Sequence, residues 1–107
     1  MAKGYWVARV DVHDEAAYKN YVAANGAAFA KYGGRFLVRG GPFDIPIGTS
    51  RARNVVIEFP SLEAAKACWD SAEYKAALAA RGESAEVDMV IIGGYDGPQP
   101  ADGPRPG

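Results

Sequence analysis

The chain has 107 residues, of which 49% are hydrophobic and 23% are charged, and its net charge is −1. This length and composition predict one ordinary globular domain, which buries roughly 60 to 70% of its unfolded surface. The charge balance excludes the broad basic surface that binds nucleic acid or an anionic membrane, so any positive site must be local.

The first third of the chain predicts a strand, a helix and a second strand. Apolar residues alternate with other residues from Tyr5 to Val12, which indicates a half-buried strand. Asp14 is a typical helix N-cap, and the aromatic residues after it recur at helical spacing, so a helix is predicted from about residue 15 to Tyr32. Gly33-Gly34 ends this helix, and Arg35 to Arg39 is the next strand.

This second strand carries two arginines, Arg35 and Arg39, four positions apart. Strand side chains repeat every two residues, so both arginines are predicted to share one face. Phe36 and Val38 would then point to the opposite, core-forming face. One face of this strand is then predicted to pack in the core, and the other face is predicted to carry charge.

The rest of the chain predicts a loop, a strand, an interrupted helix and a last strand. Glycine and proline residues make Gly40 to Ser50 a loop, and its apolar side chains are available to cover a cavity. Arg53 to Phe59 alternates as a strand. A helix from the N-cap Ser61 is interrupted by a new capping signal at Asp70-Ser71, and Glu86 to Ile92 is the last strand.

Residues 1–95 are predicted to form the single domain. Residues 96–107 hold four of the seven prolines and no aromatic residue, which indicates a flexible, Pro/Gly-rich tail. The order of elements is βαββαβ. It predicts an α+β fold of the ferredoxin-like class, in which a four-stranded antiparallel sheet carries two helices on one face. The absence of a signal-peptide core or a membrane-spanning stretch predicts a cytoplasmic protein.

The two sheet faces are predicted to differ. Apolar strand residues expected beneath the helices are Trp6, Val10, Phe36, Val38, Val55, Ile57, Val87 and Ile91. Residues expected on the opposite face are Tyr5, Val7, Arg9, Asp11, Arg35, Leu37, Arg39, Asn54, Val56, Glu58, Val90 and Ile92. This second face is too apolar for a fully solvent-exposed surface and too charged for a hydrophobic core. Two such sheets packed about a two-fold axis would satisfy both properties, so a homodimer with a charged lumen is predicted.

The charges on that face suggest a binding site. Arginine suits carboxylate or phosphate groups, and arginines outnumber the carboxylates expected near them. A pocket between the sheet and the first helix is therefore predicted to hold a small anionic organic molecule. The predicted substrate-binding residues are Arg9, Arg35, Arg39, Tyr32 and Trp69, with Asp11 or Glu58 as the general base. The alternative is a non-catalytic dimeric binding or scaffold module in which these charges only pair with each other.

The residue content argues against disulfide-bonded, metal-binding, haem-binding and RNA-binding proteins. Cys68 is the only cysteine and His13 the only histidine, so no disulfide, metal site or haem cofactor is expected. Cys68 is predicted to be a buried helix residue. RNA-recognition domains share the βαββαβ order, but they need several aromatics on the open sheet face, where only Tyr5 is expected.

Several motifs in this order resemble the small bacterial family catalogued as domain of unknown function 1330. The residues that carry the resemblance are Tyr18, the YGGRFLVRGG stretch from Tyr32 to Gly41, Arg53 with Val55 to Ser61, Ser71 with Glu73-Tyr74, and Arg81. The resemblance spans Tyr5 to about Gly94 and implies a dimeric α+β barrel. It implies no reaction. Two departures from the family pattern are Ala72, where proline is common, and Ile47, where an acid is common.

Overall fold

The computed structural model describes residues 2–103, which form one four-stranded sheet and three α-helices. The elements are β1 (Gly4–Val12), α1 (Glu15–Tyr32), β2 (Arg35–Arg39), β3 (Arg53–Phe59), α2 (Leu62–Asp70), α3 (Ala72–Arg81) and β4 (Ala85–Gly93). The strands pair antiparallel in the order β2-β3-β1-β4. The predicted α+β, ferredoxin-like architecture is confirmed.

Local capping determines where the helices begin and end. The Asp14 side chain accepts the backbone N–H of Ala17, and Gly33 adopts the left-handed conformation (φ 75°) that ends α1. Ser71 serves two helices, because its hydroxyl donates to the Cys68 carbonyl (2.6 Å) and accepts from the Tyr74 N–H (3.1 Å). The interruption predicted at this position is therefore confirmed as a break between α2 and α3.

The core lies between one sheet face and the helices, with Trp6 at its centre. The Trp6 ring packs edge-on against Phe29 and Tyr74, with centroid distances of 5.4 and 4.8 Å. Its indole N–H donates to the Ala65 carbonyl (2.9 Å), so this large ring is buried without an unpaired donor. Cys68 is fully buried on α2 as predicted, and burial raises its thiol pKa to about 12.

The prediction that Arg35 and Arg39 share a face is wrong, because β2 contains a β-bulge. Arg35 pairs with Glu58 and Phe36 with Ile57, but the register then shifts so that Val38 pairs with Val56 and Arg39 with Val55. One extra residue in a strand reverses the alternation of everything beyond it. Arg39 therefore lies on the helix side, and Val38, predicted for the core, is 42% exposed on the open face.

The open face carries a row of four valines across the sheet. Val38, Val56, Val7 and Val90 are register partners in successive strands. Val7, Val38 and Val90 are 37%, 42% and 56% exposed, so the row is a contiguous strip of accessible aliphatic side chains. The open face is thus apolar in the middle, as the sequence predicts.

Beyond β4 the chain continues into the segment predicted as a tail. The Tyr95 hydroxyl donates to the Pro98 carbonyl (2.8 Å), and Pro100–Asp102 forms one turn of 3-10 helix. The last part of the predicted tail, residues 104–107, lies outside the described residues. Among residues 2–103, no helix is both long enough and apolar enough to cross a membrane.

Candidate functional site

A narrow cavity of about 50 Å³ lies between α1 and the covered face of the sheet. Arg39, Arg53 and Arg81 line it together with aromatic residues of the core and the Asn25 side chain. No aspartate or glutamate of the described chain contributes to its wall. A partly buried cluster of three cations without an acid has a clear electrostatic preference for an anion.

Three different elements bring the arginines together. Arg39 reaches the cavity through the bulge in β2, and its guanidinium lies 4.1 Å from the centre of the Phe36 ring. Arg53 is the first residue of β3 and pairs with buried Val10, which places it on the covered face. Arg81 comes from the last turn of α3.

The backbone around Gly40 leaves room for the Arg53 side chain. Gly40 has a left-handed φ of 68°, and a Cβ added there would lie 2.7 Å from the Arg53 guanidinium. The Gly40 N–H also donates to the Asn54 carbonyl (2.8 Å), which closes the end of the β2–β3 pairing. The second glycine pair of the sequence thus makes room for a cavity arginine.

Two of the guanidinium groups hold buried donors that lack acceptors. The Nε atoms of Arg53 and Arg81 are inaccessible to solvent and have no hydrogen-bond partner within residues 2–103. Leaving a buried donor unpaired costs about 1–3 kcal/mol, and native structures rarely tolerate it without a reason. An oxygen-bearing anion in the cavity would supply the missing acceptors.

Three tyrosines border the same space. The hydroxyls of Tyr21 and Tyr74 are hydrogen bonded to each other at 2.7 Å, and burial raises the pKa of Tyr74 far above its usual value. Burial, assisted by Tyr21, also raises the pKa of Tyr18, although the arginines oppose this shift. Both Tyr18 and Tyr74 are therefore protonated at neutral pH, and Tyr18 can donate a hydrogen bond to a ligand.

Asn25 is the least expected residue of the cavity wall. It lies on α1 one helical turn from Tyr21 and Phe29, and it is only 6% exposed. Its side-chain amide makes no hydrogen bond to any residue of the described chain, although the amide supplies both donors and an acceptor. A polar side chain held this way among aromatic residues is available to a bound molecule.

Two wider clefts share wall residues with the narrow cavity. One cleft, of about 380 Å³, lies beside α1 and has Tyr18 and Arg53 in common with the cavity wall. The other, of about 290 Å³, lies beside β4 and has Arg81 and Met89 in common with the cavity wall, with Trp69 as a further wall residue. A ligand can therefore place its anionic end in the centre and extend into a cleft.

The structure brings only part of the predicted site to this cavity. Arg39 lines the cavity itself, and Trp69 lines the cleft beside β4. Tyr32 packs against the core near the end of α1 and contributes to none of these spaces. Arg35 and Arg9 lie on the open face, where Arg9 sits beneath the loop after β2.

The two carboxylates predicted as general bases also lie on the open face. Glu58 accepts from the Tyr5 hydroxyl (3.2 Å) and lies 3.9 Å from Arg35. Asp11 accepts from Arg51 (2.8 Å) and from the Ala52 N–H (2.9 Å). The sheet therefore separates both acids from the arginine-lined cavity.

Arg51, which the sequence analysis did not single out, changes the charge balance of the open face. It donates to Asp88 and Asp11 at 2.8 Å and to Glu86 at 3.0 Å. With Arg39 on the other side, this face carries three arginines against four carboxylates. The expected positive surplus is instead found in the cavity.

Sequence reasoning missed Arg53, Arg81 and Asn25 as site residues, although each had a positional signal. Arg53 has the same strand parity as the core residue Ile57. Arg81 lies seven positions after Tyr74, and Asn25 lies seven after Tyr18, so each shares a helix face with an aromatic residue. A charged or polar residue on an apolar stripe was the available clue.

Comparisons with known proteins agree on the fold. The family described as "Domain of unknown function (DUF1330)" matches residues 3–95. Among solved structures, the RPA0582 protein of unknown function from Rhodopseudomonas palustris is 18% identical with a TM-score of 0.68, and the match covers 85% of this chain and 81% of that one. No protein with curated function matches.

Two further structures are described as oxygenases. SnoaB from Streptomyces nogalater, a cofactor-independent oxygenase, is 17% identical with a TM-score of 0.59, over 86% of this chain and 92% of that one. A putative antibiotic biosynthesis monooxygenase from Caulobacter crescentus CB15 is 20% identical with a TM-score of 0.59, over 92% of both chains. At these identities the likeness concerns the fold alone.

Proposed function

This chain belongs to the DUF1330 family, and we propose that it binds a small organic anion in the cavity between α1 and the sheet. The observation that carries the proposal is the convergence of Arg39, Arg53 and Arg81 on a space that no acid of the described chain enters. Three cations in one partly buried wall repel one another and lose hydration. A carboxylate or similar anion offsets both costs, because it accepts from the guanidinium groups and neutralises part of their charge.

The aromatic wall supports an organic ligand over a simple inorganic ion. Trp6, Phe29, Phe36 and Tyr74 line the cavity beside the arginines. Binding sites for small organic molecules typically combine such apolar walls with a few convergent polar groups. The cavity thus has a cationic part for the anion and an apolar part for the carbon skeleton.

The test uses two arginines of one strand that the bulge places on opposite faces. Arg39→Ala removes a cavity cation, whereas Arg35→Ala removes an open-face cation that is 73% exposed in its side chain. Calorimetry or thermal-shift titration against a panel of organic acids should give weaker binding for Arg39→Ala by about 10- to 100-fold, as expected for a hydrogen bond between charged groups.

Arg35→Ala is the matched control and should keep the wild-type affinity. Equal losses in the two variants, or a wild-type protein to which none of the acids binds, would contradict the proposal. Circular dichroism of both variants distinguishes lost binding from lost folding.

We also propose that two copies of the chain pair through their open sheet faces. The support is the valine row, together with Leu37 and Ile92, which are 46% and 53% exposed beside it. Isolated apolar residues are common on protein surfaces, but a contiguous aliphatic patch of this kind typically marks an interface. A two-fold related copy of the same face is complementary in its apolar centre.

Analytical ultracentrifugation tests this pairing. Val90→Lys places a charge in the valine row of the proposed interface and should convert a dimer into a monomer. Ala76→Lys, on an exposed position of α3, is the control and should leave the dimer intact. A wild-type monomer at micromolar concentration, or a Val90→Lys dimer, would show that the open face is not the contact.

A further inference from the structure

We propose that the cavity is specific for carboxylates with an oxygen on the adjacent carbon, that is 2-oxo or 2-hydroxy acids, and that Asn25 recognises this second oxygen. The inference rests on the proposed function and names the ligand class for the same cavity. It depends on the separate roles of two kinds of polar group in one wall, the charged guanidinium groups and the neutral Asn25 amide.

The position of Asn25 does not call for a polar residue on structural grounds. Its neighbours on the same face of α1 are Tyr21, Ala28 and Phe29, which are all buried in the core. Asn25 is 6% exposed, and within the described chain its amide has no hydrogen-bond partner. Unlike the Nε atoms of Arg53 and Arg81, the Asn25 amide is not fully enclosed and faces the cavity, whereas an alanine or leucine would suit the apolar neighbours of this position. The amide is thus held ready for a molecule that the described residues do not include.

The chemistry of the amide indicates which ligand atom it meets. The carboxylate group is best matched by the arginines, which carry full charges and unpaired Nε donors on Arg53 and Arg81. A neutral amide cannot offset a full charge, but its NH₂ group donates well to a carbonyl or hydroxyl oxygen. A ligand that uses both groups therefore has a carboxylate and a second, neutral oxygen.

The size of the cavity requires these two ligand groups to be close together. Its volume of about 50 Å³ corresponds to about four water-sized spaces. That volume accommodates a carboxylate with one substituted carbon beside it and little more. The rest of the molecule would extend into the cleft beside β4, where Trp69, Met89 and Ile91 form an apolar wall.

Dissociation constants for a matched series of acids test the assignment. The three-carbon acids propionate, pyruvate and L-lactate differ only in the substituent at the second carbon. Their 3-phenyl analogues add a side group suited to the apolar cleft. Wild-type protein should bind the substituted acids about tenfold more tightly than the unsubstituted ones, as one neutral hydrogen bond provides.

Two variants on α1 separate recognition from general effects. In Asn25→Leu the preference for substituted acids should fall from about tenfold to about one. Asn20→Leu changes the same residue type at an exposed position of the helix and should keep the tenfold preference. If Asn25→Leu does not fold, Asn25→Ala provides the same comparison with a smaller side chain.

The outcomes distinguish this inference from the proposed function. Equal affinity of the wild type for propionate and pyruvate, and for their phenyl analogues, would overturn the role of Asn25 while leaving anion binding in place. A preference that survives in both Asn25→Leu and Asn25→Ala would also overturn it. Failure of the wild type to bind any of the six acids would overturn both proposals.

Discussion

Replacing Arg53 by methionine should make the protein more stable than the wild type without ligand and less stable than the wild type with ligand. The Arg53 Nε is buried without an acceptor and lies in a wall with two other arginines. Methionine keeps a long unbranched side chain that can fill the same space, and it removes both the unpaired donor and the charge. The perturbation therefore isolates the energetic cost of preparing the cavity for an anion.

The expected magnitude follows from the unpaired donor. Removing an unpaired buried donor raises the free energy of unfolding by about 1–3 kcal/mol, and imperfect packing of the new side chain offsets part of this gain. We expect a net gain of about 1 kcal/mol in the free energy of unfolding, or roughly 4 °C in Tm for a domain of this size. An acid at one hundred times its Kd stabilises the wild type by about 2.7 kcal/mol, and the variant should lose most of this increment.

Urea and thermal unfolding with and without the best-binding acid measure both effects. Without acid Arg53→Met should be the more stable protein, and with acid the order should reverse. Lys66→Met, at an exposed position of α2, controls for the general effect of replacing a cation by methionine. A loss of more than about 1 kcal/mol in the unfolding free energy of Arg53→Met without acid would contradict this expectation, because Arg53 would then stabilise the fold itself.

Two further predictions concern the hydrogen-bonded tyrosines and the carboxylate beside Arg51. Tyr74→Phe should lower the free energy of unfolding by about 1–2 kcal/mol, since it leaves the buried Tyr21 hydroxyl unpaired. The double variant with Tyr21→Phe should lose less than the sum of the two single losses, which a double-mutant cycle in urea measures. The Ala52 backbone N–H, and then Arg51, hold the pKa of Asp11 below its usual value. Asp11 therefore stabilises the fold at pH values above its unfolded pKa of about 3.9, and this contribution is lost as the pH falls through the lower folded pKa. Asp11→Asn should therefore show a smaller drop in unfolding free energy between about pH 6 and about pH 3 than the wild type, and an equal drop would contradict this role.

The helices and strands could be predicted closely because short-range chemistry determines their limits. Asp14 and Ser61 cap helices through their own side chains, and Gly33 ends α1 by adopting a conformation that other residues avoid. Strand alternation likewise predicts which faces are covered, since Trp6 and Ile57 can only be buried on one side. These features depend on residues a few positions apart, so the sequence contains the relevant information.

The cavity could not be predicted in the same way, because its arginines come from three elements and one of them depends on a bulge. Leu37 and Val38 are ordinary strand residues, and no glycine or proline between Arg35 and Arg39 signals an irregularity. Arg53 and Arg81 are 28 positions apart in the sequence. Their meeting depends on how α3 packs against α1 beside the sheet, which is a tertiary property.

Deleting Leu37 provides a direct test of the bulge and of what it does for the site. In a regular strand, removing one residue would move Arg39 to the opposite face, whereas removing the extra residue of a bulge leaves the pairing of Val38 with Val56 and of Arg39 with Val55 unchanged. We therefore expect the deletion variant to fold and to bind organic acids within about threefold of the wild type, since the cavity arginine keeps its face. Arg39→Ala in the deletion variant should then show the 10- to 100-fold loss of affinity expected for losing a charged partner. Loss of binding in the folded deletion variant itself would mean that β2 alternates regularly and that Arg39 reaches the cavity by another route.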